Sequence, residues 1–262
     1  MQHLNISEKV MLSAFGVYTF VYPFAIFLLS FDLMPFGMEW MSSMLLAMLG
    51  VTAAAWLWTN FGARGLVLGV AIFAAGLALE YIGVSTGLPF GPYSYTAVLA
   101  PLLPGGMPLA IGFAWVLIVV SGLFTARWSL RSAPAWVTCI VGALLAVGLD
   151  FLLEPVTYHV KGYWLWQGSE GYYGVPWTNF LAWLVAALLM NLIVGRILDL
   201  IMQVRWGWVP GALYVMNVIM FGIVNLTHRF WWSGLIGLVL LGGLWLMRRA
   251  LSTHPAPSAP TP

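Results

Sequence analysis

Runs of about twenty apolar residues follow one another along almost the whole chain, and only short polar stretches separate them. Hydrophobic residues make up 62% of the sequence and charged residues 7%, whereas soluble domains carry roughly 25% charged residues. A helix of roughly 20 apolar residues crosses a bilayer core about 30 Å thick. The sequence therefore predicts an all-α, polytopic membrane helix bundle with about eight crossings.

Residues 1–250 are expected to form a single transmembrane helical domain. The predicted spans are 10–30, 40–59, 65–84, 107–125, 134–153, 176–202, 209–225 and 231–247. Segment 251–262 is rich in Pro, Ala, Ser and Thr and has too little apolar surface to fold. We expect it to be a disordered C-terminal tail.

The positions of the basic residues predict the orientation of the bundle. Most of them fall at the amino end, in alternate loops and at the carboxyl end: Lys9, Arg64, Arg127, Arg131, Arg205, Arg248 and Arg249. Lys161 and Arg229 fall in the other loops. The positive-inside rule then places both termini in the cytoplasm of a multi-pass protein of the cell membrane. No basic patch indicates a nucleic-acid partner.

Carboxylates are rare here, and three of them fall at one predicted rim of the bundle. Glu80 lies near the end of the third span, Asp150 and Glu154 lie at the end of the fifth, and Asn179 lies near the start of the sixth. In the predicted topology all four approach the non-cytoplasmic face. Ionisable residues within membrane spans indicate a functional site by default.

Asp150 and Glu154 are four residues apart, so they share one face of a helix. Pro155 is expected to end that helix. Two carboxylates so close in a low dielectric do not both ionise cheaply, and one is expected to hold a proton. A proton donor beside a proton acceptor is suited to general acid-base chemistry.

Two long loops, 85–106 and 155–175, are predicted to emerge at the same rim and are rich in aromatic residues. These residues are Tyr93, Tyr95, Tyr158, Tyr163, Trp164, Trp166, Tyr172, Tyr173 and, just beyond, Trp177. Such rings can line a groove for a flat polyene and stabilise a carbocation through their faces. They are equally typical of the aromatic belts at membrane interfaces.

Other site types find little support in the sequence. Cys139 is the single cysteine, and the carboxylates near His159 lack a recognised ligand spacing, so we expect no metal. No phosphate-binding loop or dinucleotide fingerprint is present, and no cofactor is expected. Asn191, Asn217 and Asn225 are expected to form interhelical hydrogen bonds.

Residues 65–183 resemble the membrane-integral carotenoid biosynthesis proteins, which include CruF-type carotenoid 1,2-hydratases and bisanhydrobacterioruberin hydratases. The resemblance is carried by Glu80, Gly83, Thr86, Gly87, Pro89, Phe90, Gly91, Tyr93, Tyr95, Pro108, Trp115, Asp150, Glu154, Pro155, Trp164, Trp166, Gly174, Pro176, Asn179, Phe180 and Trp183. It implies water addition to the terminal double bond of an acyclic carotenoid end, as in lycopene or gamma-carotene.

Given that resemblance, our hypothesis is that the three carboxylates carry out the proton transfers of the reaction. Either Asp150 or Glu154 protonates the alkene, and Glu80 or the remaining acid orients and deprotonates a water. Which carboxylate is the acid stays open. The residues expected to position water or substrate are Tyr93, Tyr95, Trp164, Trp166, Tyr173 and Asn179.

The expected partner is a carotenoid taken from the lipid bilayer, and other carotenoid biosynthesis enzymes are candidate partners. The main alternative is a carotenoid-binding or isoprenoid-binding membrane protein without catalysis. A transporter with a proton path is disfavoured, because the charges lie at one rim rather than through the bundle.

Overall fold

Helices dominate the computed structural model, which describes residues 4–131, 133–168, 170–198, 200 and 204–252. They are α1 (Ile6–Ser30), α2 (Trp40–Thr86), α3 (Ala110–Ser129), α4 (Ala135–Pro155), α5 (Trp177–Leu198), α6 (Val209–Thr227) and α7 (Trp231–Ser252). All seven are long and apolar enough to cross a membrane. The predicted all-α polytopic membrane protein is thus confirmed. Residues 253–262 of the predicted tail, and 199 and 201–202 of the predicted sixth span, lie outside the described residues.

Helix α2 contains a chain reversal. Its 47 residues would extend about 70 Å as one straight helix, more than twice the thickness of a bilayer core. Gly62 interrupts it with φ 58° and ψ −141°. A Cβ placed on Gly69 would lie 3.2 Å from the Cβ of Ala54, so residues 40–61 and 63–86 pack antiparallel. These two segments correspond to the second and third predicted spans. The count of eight crossings and the cytoplasmic termini stay predictions.

Helix α3 forms the centre of the bundle, and nearly all of its residues are buried. It contacts both segments of α2, because glycines let the backbones approach closely. A Cβ at Gly50 would overlap Phe113, and one at Gly76 would overlap Trp115. This packing brings the last turns of α2, including Glu80, against the first turns of α3.

Helix α4 continues past Pro155 as a π-helical turn, Val156–Val160. The prediction that Pro155 ends the helix was therefore wrong. Proline has no N–H for the carbonyl of Phe151, one turn earlier. Ser233 Oγ of α7 donates to that carbonyl at 3.0 Å, which satisfies the freed acceptor.

The buried asparagines only partly follow the prediction. Asn191 and Asn225 donate to backbone carbonyls of α4 at 3.1 and 2.7 Å, as interhelical hydrogen bonds. Asn217 instead donates to the carbonyl of Leu213 in its own helix at 2.8 Å. A side-chain amide can donate to the backbone carbonyl one turn earlier in its own helix, so Asn217 Nδ2 forms a hydrogen bond without contacting another helix.

The two long loops meet in a small antiparallel ribbon that the sequence analysis did not predict. Strand β1 (Tyr93–Tyr95) pairs with β2 (Trp164–Trp166), and Tyr93 faces Trp166 while Tyr95 faces Trp164. Side chains alternate along a strand, so these four aromatic residues share one face. That face is directed at the ends of α2 and α4.

Candidate active site

The two tyrosines of β1 and one tryptophan of α3 bind the Glu80 carboxylate. Tyr93 Oη and Tyr95 Oη donate to Glu80 Oε2 at 2.6 and 2.8 Å, and Trp115 Nε1 donates to Oε1 at 3.2 Å. Glu80 is 4% exposed. Burial, together with the nearby Glu80 carboxylate, raises the pKa of both Tyr93 and Tyr95 above that of free tyrosine. Both phenols therefore stay protonated and remain hydrogen-bond donors at neutral pH.

The two tryptophans of β2 bind the second glutamate in the same way. Trp164 Nε1 and Trp166 Nε1 donate to Glu154 Oε2 at 3.0 and 3.1 Å. Asn179 Nδ2 donates to Glu154 Oε1 at 3.1 Å. The strand register explains this division, because one face of the ribbon offers tyrosines to α2 and tryptophans to α4.

Asp150 lies one helical turn before Glu154 and is fully buried. Asn179 Nδ2 donates to its Oδ2 at 3.0 Å, so a single amide group bridges the two acids. Its Oδ1 has no hydrogen-bond partner among the described residues. Every hydrogen-bond donor that the described residues offer to the three carboxylates is neutral.

An apolar cavity lies against these acids. Glu80 and Glu154 line it, whereas Asp150 does not. Its walls come mainly from α1, the first segment of α2, α3, α4 with its π-helical turn, α6 and the two long loops. Two carboxylates thus face a space with mainly apolar walls, and the third lies one helical turn behind Glu154.

Trp115 and Trp183, which were not predicted as site residues, connect Glu80 to the wall of the cavity. Trp183 of α5 lines the cavity and stacks on Trp115, with ring centroids 4.2 Å apart and planes 6° apart. Trp115 in turn holds Glu80. Both belong to the residues that carry the family resemblance, so the signal was available, but nothing in the spacing related them to the carboxylates.

Tyr173 is the one predicted substrate-binding residue that lies away from the cluster. Its ring contacts Phe230, with centroids 5.1 Å apart, and its Oη accepts from the backbone N–H of Trp232 at 3.2 Å. Tyr173 is not among the residues that line the cavity. The other eight predicted residues converge as one cluster, made of Glu80, Tyr93, Tyr95, Asp150, Glu154, Trp164, Trp166 and Asn179.

The chemistry that this arrangement permits is proton transfer to and from an apolar molecule. In the described part of the chain, no group of three His, Cys, Asp or Glu side chains is arranged to hold a metal ion. The acids have aromatic neighbours and a water-poor environment, which strengthens electrostatic interactions. Such a site suits a cationic intermediate that must form away from bulk water.

A protein family and a curated relative match this chain. The model of a family described as "Carotenoid biosynthesis protein" matches residues 41–244. The bisanhydrobacterioruberin hydratase of Haloarcula japonica is 29% identical over 190 residues, which cover 70% of this chain. The aligned part spans 64% of the length of that hydratase. No solved structure shows significant similarity to the chain.

Proposed function

Since this chain belongs to the carotenoid biosynthesis protein family, we propose that it is a carotenoid hydratase, a hydro-lyase of the cell membrane. It adds water to the terminal 1,2 double bond of an acyclic carotenoid end, such as that of lycopene or gamma-carotene. The observation that carries the proposal is the pair of glutamates that are held by neutral donors and line one apolar cavity. The hydratase similar to this chain supports the same reaction class.

The first step is protonation of the alkene by the Asp150–Glu154 pair. Two carboxylates one turn apart, bridged by Asn179, favour one shared proton because adjacent negative charges repel. Glu154 faces the cavity, so it delivers the proton to the alkene carbon. The π electrons of the double bond take the proton from the carboxylic acid to form a new C–H bond, the carbon–carbon bond becomes single, and the neighbouring carbon becomes a tertiary cation. Asp150 acts behind Glu154 as a positioning residue and as part of the proton store.

Aromatic faces stabilise the cation while it lasts. Trp183 lines the cavity beside Glu80, and the stacked Trp115 fixes its ring. A cation over a tryptophan face gains about 0.5–2 kcal/mol, and more where water is excluded. The indoles of Trp164 and Trp166 also line the cavity and complete an aromatic wall around the end group.

The second step is addition of water. A water oxygen attacks the cation, and Glu80 accepts the proton that the water loses, which leaves a tertiary alcohol. Glu80 suits the role of base because Tyr93, Tyr95 and Trp115 all donate to it and thereby stabilise its charge. Transfer of one proton from Glu80 to the Asp150–Glu154 pair then restores the starting state.

Expression of the chain in cells that accumulate lycopene or gamma-carotene tests the proposal. The expected result is a new pigment heavier by one water, found by liquid chromatography and mass spectrometry. Unchanged pigment that copurifies with folded protein would instead support the alternative, a carotenoid-binding protein without catalysis. Unchanged pigment without binding would contradict both.

A further inference from the structure

A buried hydroxyl in the cavity wall lacks a hydrogen-bond partner. Among the described residues, ten buried side-chain nitrogen or oxygen atoms have no partner, and Tyr18 Oη is the one that belongs to a residue lining the cavity. Tyr18 is 1% exposed. Buried polar groups are nearly always hydrogen-bonded, so this hydroxyl calls for a ligand that the cavity admits. Serine and threonine can bond their own helix, but a phenol on a rigid ring cannot.

Asn217 provides a second polar group on the same wall. It lines the cavity and is 3% exposed. Its Nδ2 donates to the carbonyl of Leu213 at 2.8 Å, which leaves its Oδ1 as the acceptor that the side chain can offer to a ligand. Helices α1 and α6 lie side by side here, because Tyr22 Oη donates to the carbonyl of Met216 at 2.7 Å. Tyr18 lies one turn before Tyr22, and Asn217 follows Met216, so the unpartnered hydroxyl of Tyr18 and the amide of Asn217 belong to neighbouring turns of adjacent helices.

This polar pair lies well away from the carboxylates. Asn225 Nδ2 donates to the carbonyl of Leu152 at 2.7 Å, so Asn225 of α6 lies at about the same depth in the bundle as Glu154 of α4. Asn217 precedes Asn225 by eight residues, and at 1.5 Å per residue it lies about 12 Å deeper along the helix. The two glutamates and the two neutral polar groups therefore line the same cavity at different depths of the bundle.

We propose that Tyr18 and Asn217 form a hydroxyl-recognition subsite, so that, among isoprenoid chains with the same reacting double bond, one that also bears a hydroxyl group at a fixed distance from it is preferred over a hydrocarbon such as lycopene. Tyr18 donates to the hydroxyl oxygen and Asn217 Oδ1 accepts the hydroxyl proton, a pairing that a keto group cannot complete. The inference rests on the proposed function, because it takes this cavity as the place of the isoprenoid chain.

The test measures binding without turnover. Geraniol, farnesol and geranylgeraniol carry the same terminal double bond and place the hydroxyl progressively farther from it. Each is titrated, beside the hydrocarbon of equal length, against the purified full chain in lipid nanodiscs, and quenching of tryptophan fluorescence gives Kd. One alcohol is expected to bind about tenfold tighter than its hydrocarbon, as one or two neutral hydrogen bonds predict. The other two alcohols should show a smaller preference.

In Tyr18→Phe, the Kd values of the preferred alcohol and its hydrocarbon should differ by no more than about twofold. Asn217→Leu should lose the preference for the alcohol to a similar extent. Hydrocarbon affinity should not change in either variant. Tyr22→Phe is the matched control, since the Tyr22 hydroxyl is already bonded and the residue does not line the cavity. Its preference should equal that of the wild type.

Three results would overturn the inference: no alcohol preferred by the wild type, a preference that survives in both variants, or no binding of any probe to folded protein. The outcome is separable from the hydratase proposal. A preference that depends on Tyr18, in a protein that never hydrates carotenoids in cells, would keep the subsite and remove the proposed reaction. Hydration without such a preference would do the reverse.

Discussion

Two clusters in this bundle contain buried glutamates that accept a hydrogen bond from a tryptophan N–H. The surroundings of the glutamates differ between the two clusters. In the first cluster, Glu8 is 0% exposed, accepts from Trp206 Nε1 at 3.0 Å, and forms an ion pair with Arg205 at 2.8 Å. It also accepts from the backbone N–H of Asn5 at 3.0 Å, as the second half of a capping box. Its neighbours therefore tie the start of α1 to the segment before α6.

In the second cluster, Glu80 and Glu154 are held only by neutral donors of the described residues and face a cavity. A buried carboxylate that pairs with a cation and caps a helix has a structural role, because both interactions hold neighbouring segments together. A buried carboxylate that has neither, and that meets an apolar space, retains the capacity to exchange a proton. The comparison indicates that partner charge and cavity access, rather than burial, separate the structural acid from the chemical ones.

Glu154→Gln should have the largest effect. The amide keeps the shape of the side chain but cannot deliver a proton, so water addition should fall by about 10³- to 10⁴-fold. Pigment turnover by purified protein, with folding checked by gel filtration in detergent, measures it. Glu170→Gln, an exposed glutamate of the same loop region, should keep full activity. Normal turnover in Glu154→Gln would remove this residue from the mechanism.

Glu80→Gln should lower turnover by about 10²- to 10³-fold, because the cation would meet water without a general base. The amide would also present an N–H₂ to donors already aimed at it, from Tyr93 and Tyr95. Single-turnover kinetics with a carotene substrate would measure the loss. An effect confined to KM would show that Glu80 only binds substrate.

Asp150→Asn should have a smaller effect, about tenfold on kcat, since Asp150 lies behind Glu154 and outside the cavity. KM should not change, because no substrate contact is lost. Steady-state kinetics over a range of substrate concentrations separates the two constants. A loss as large as that of Glu154→Gln would instead make Asp150 the direct acid.

Glu8→Gln should leave turnover per folded molecule unchanged and reduce stability. The Arg205 side chain is 53% exposed, so solvent screens the pair and the loss of stability should be small. Thermal unfolding in detergent, followed by tryptophan fluorescence, would show the lower Tm. A large fall in turnover without a change in Tm would contradict the separation of the two clusters.

The sequence predicted that the acids converge, but not the strand pair whose aromatic side chains bind two of them. Glu80, Asp150 and Glu154 end spans that run in the same predicted direction, so topology alone brings them to one rim. The ribbon was missed because each strand has three residues, too few for an alternating pattern to be distinguished from an aromatic belt. Its pairing also joins residues about seventy positions apart.

Tyr18 illustrates the same limit from another direction. It lies in an apolar span beside other aromatic residues, and no spacing rule marks its hydroxyl as unpartnered. Tyr173 was predicted into the site because it belongs to the aromatic loop, yet its ring packs on Phe230. The direction of a side chain depends on tertiary packing, which composition and period do not encode.

The most direct measurement is isotope incorporation by the purified protein. Lycopene is supplied in lipid vesicles prepared in water that is enriched in deuterium and oxygen-18, and the product is examined by mass spectrometry after exchange into ordinary water. One carbon-bound deuterium and one oxygen-18 are expected in the same product, and both should be lost in Glu154→Gln. Bound but unaltered lycopene, with wild type and Glu154→Gln alike, would contradict the hydratase proposal.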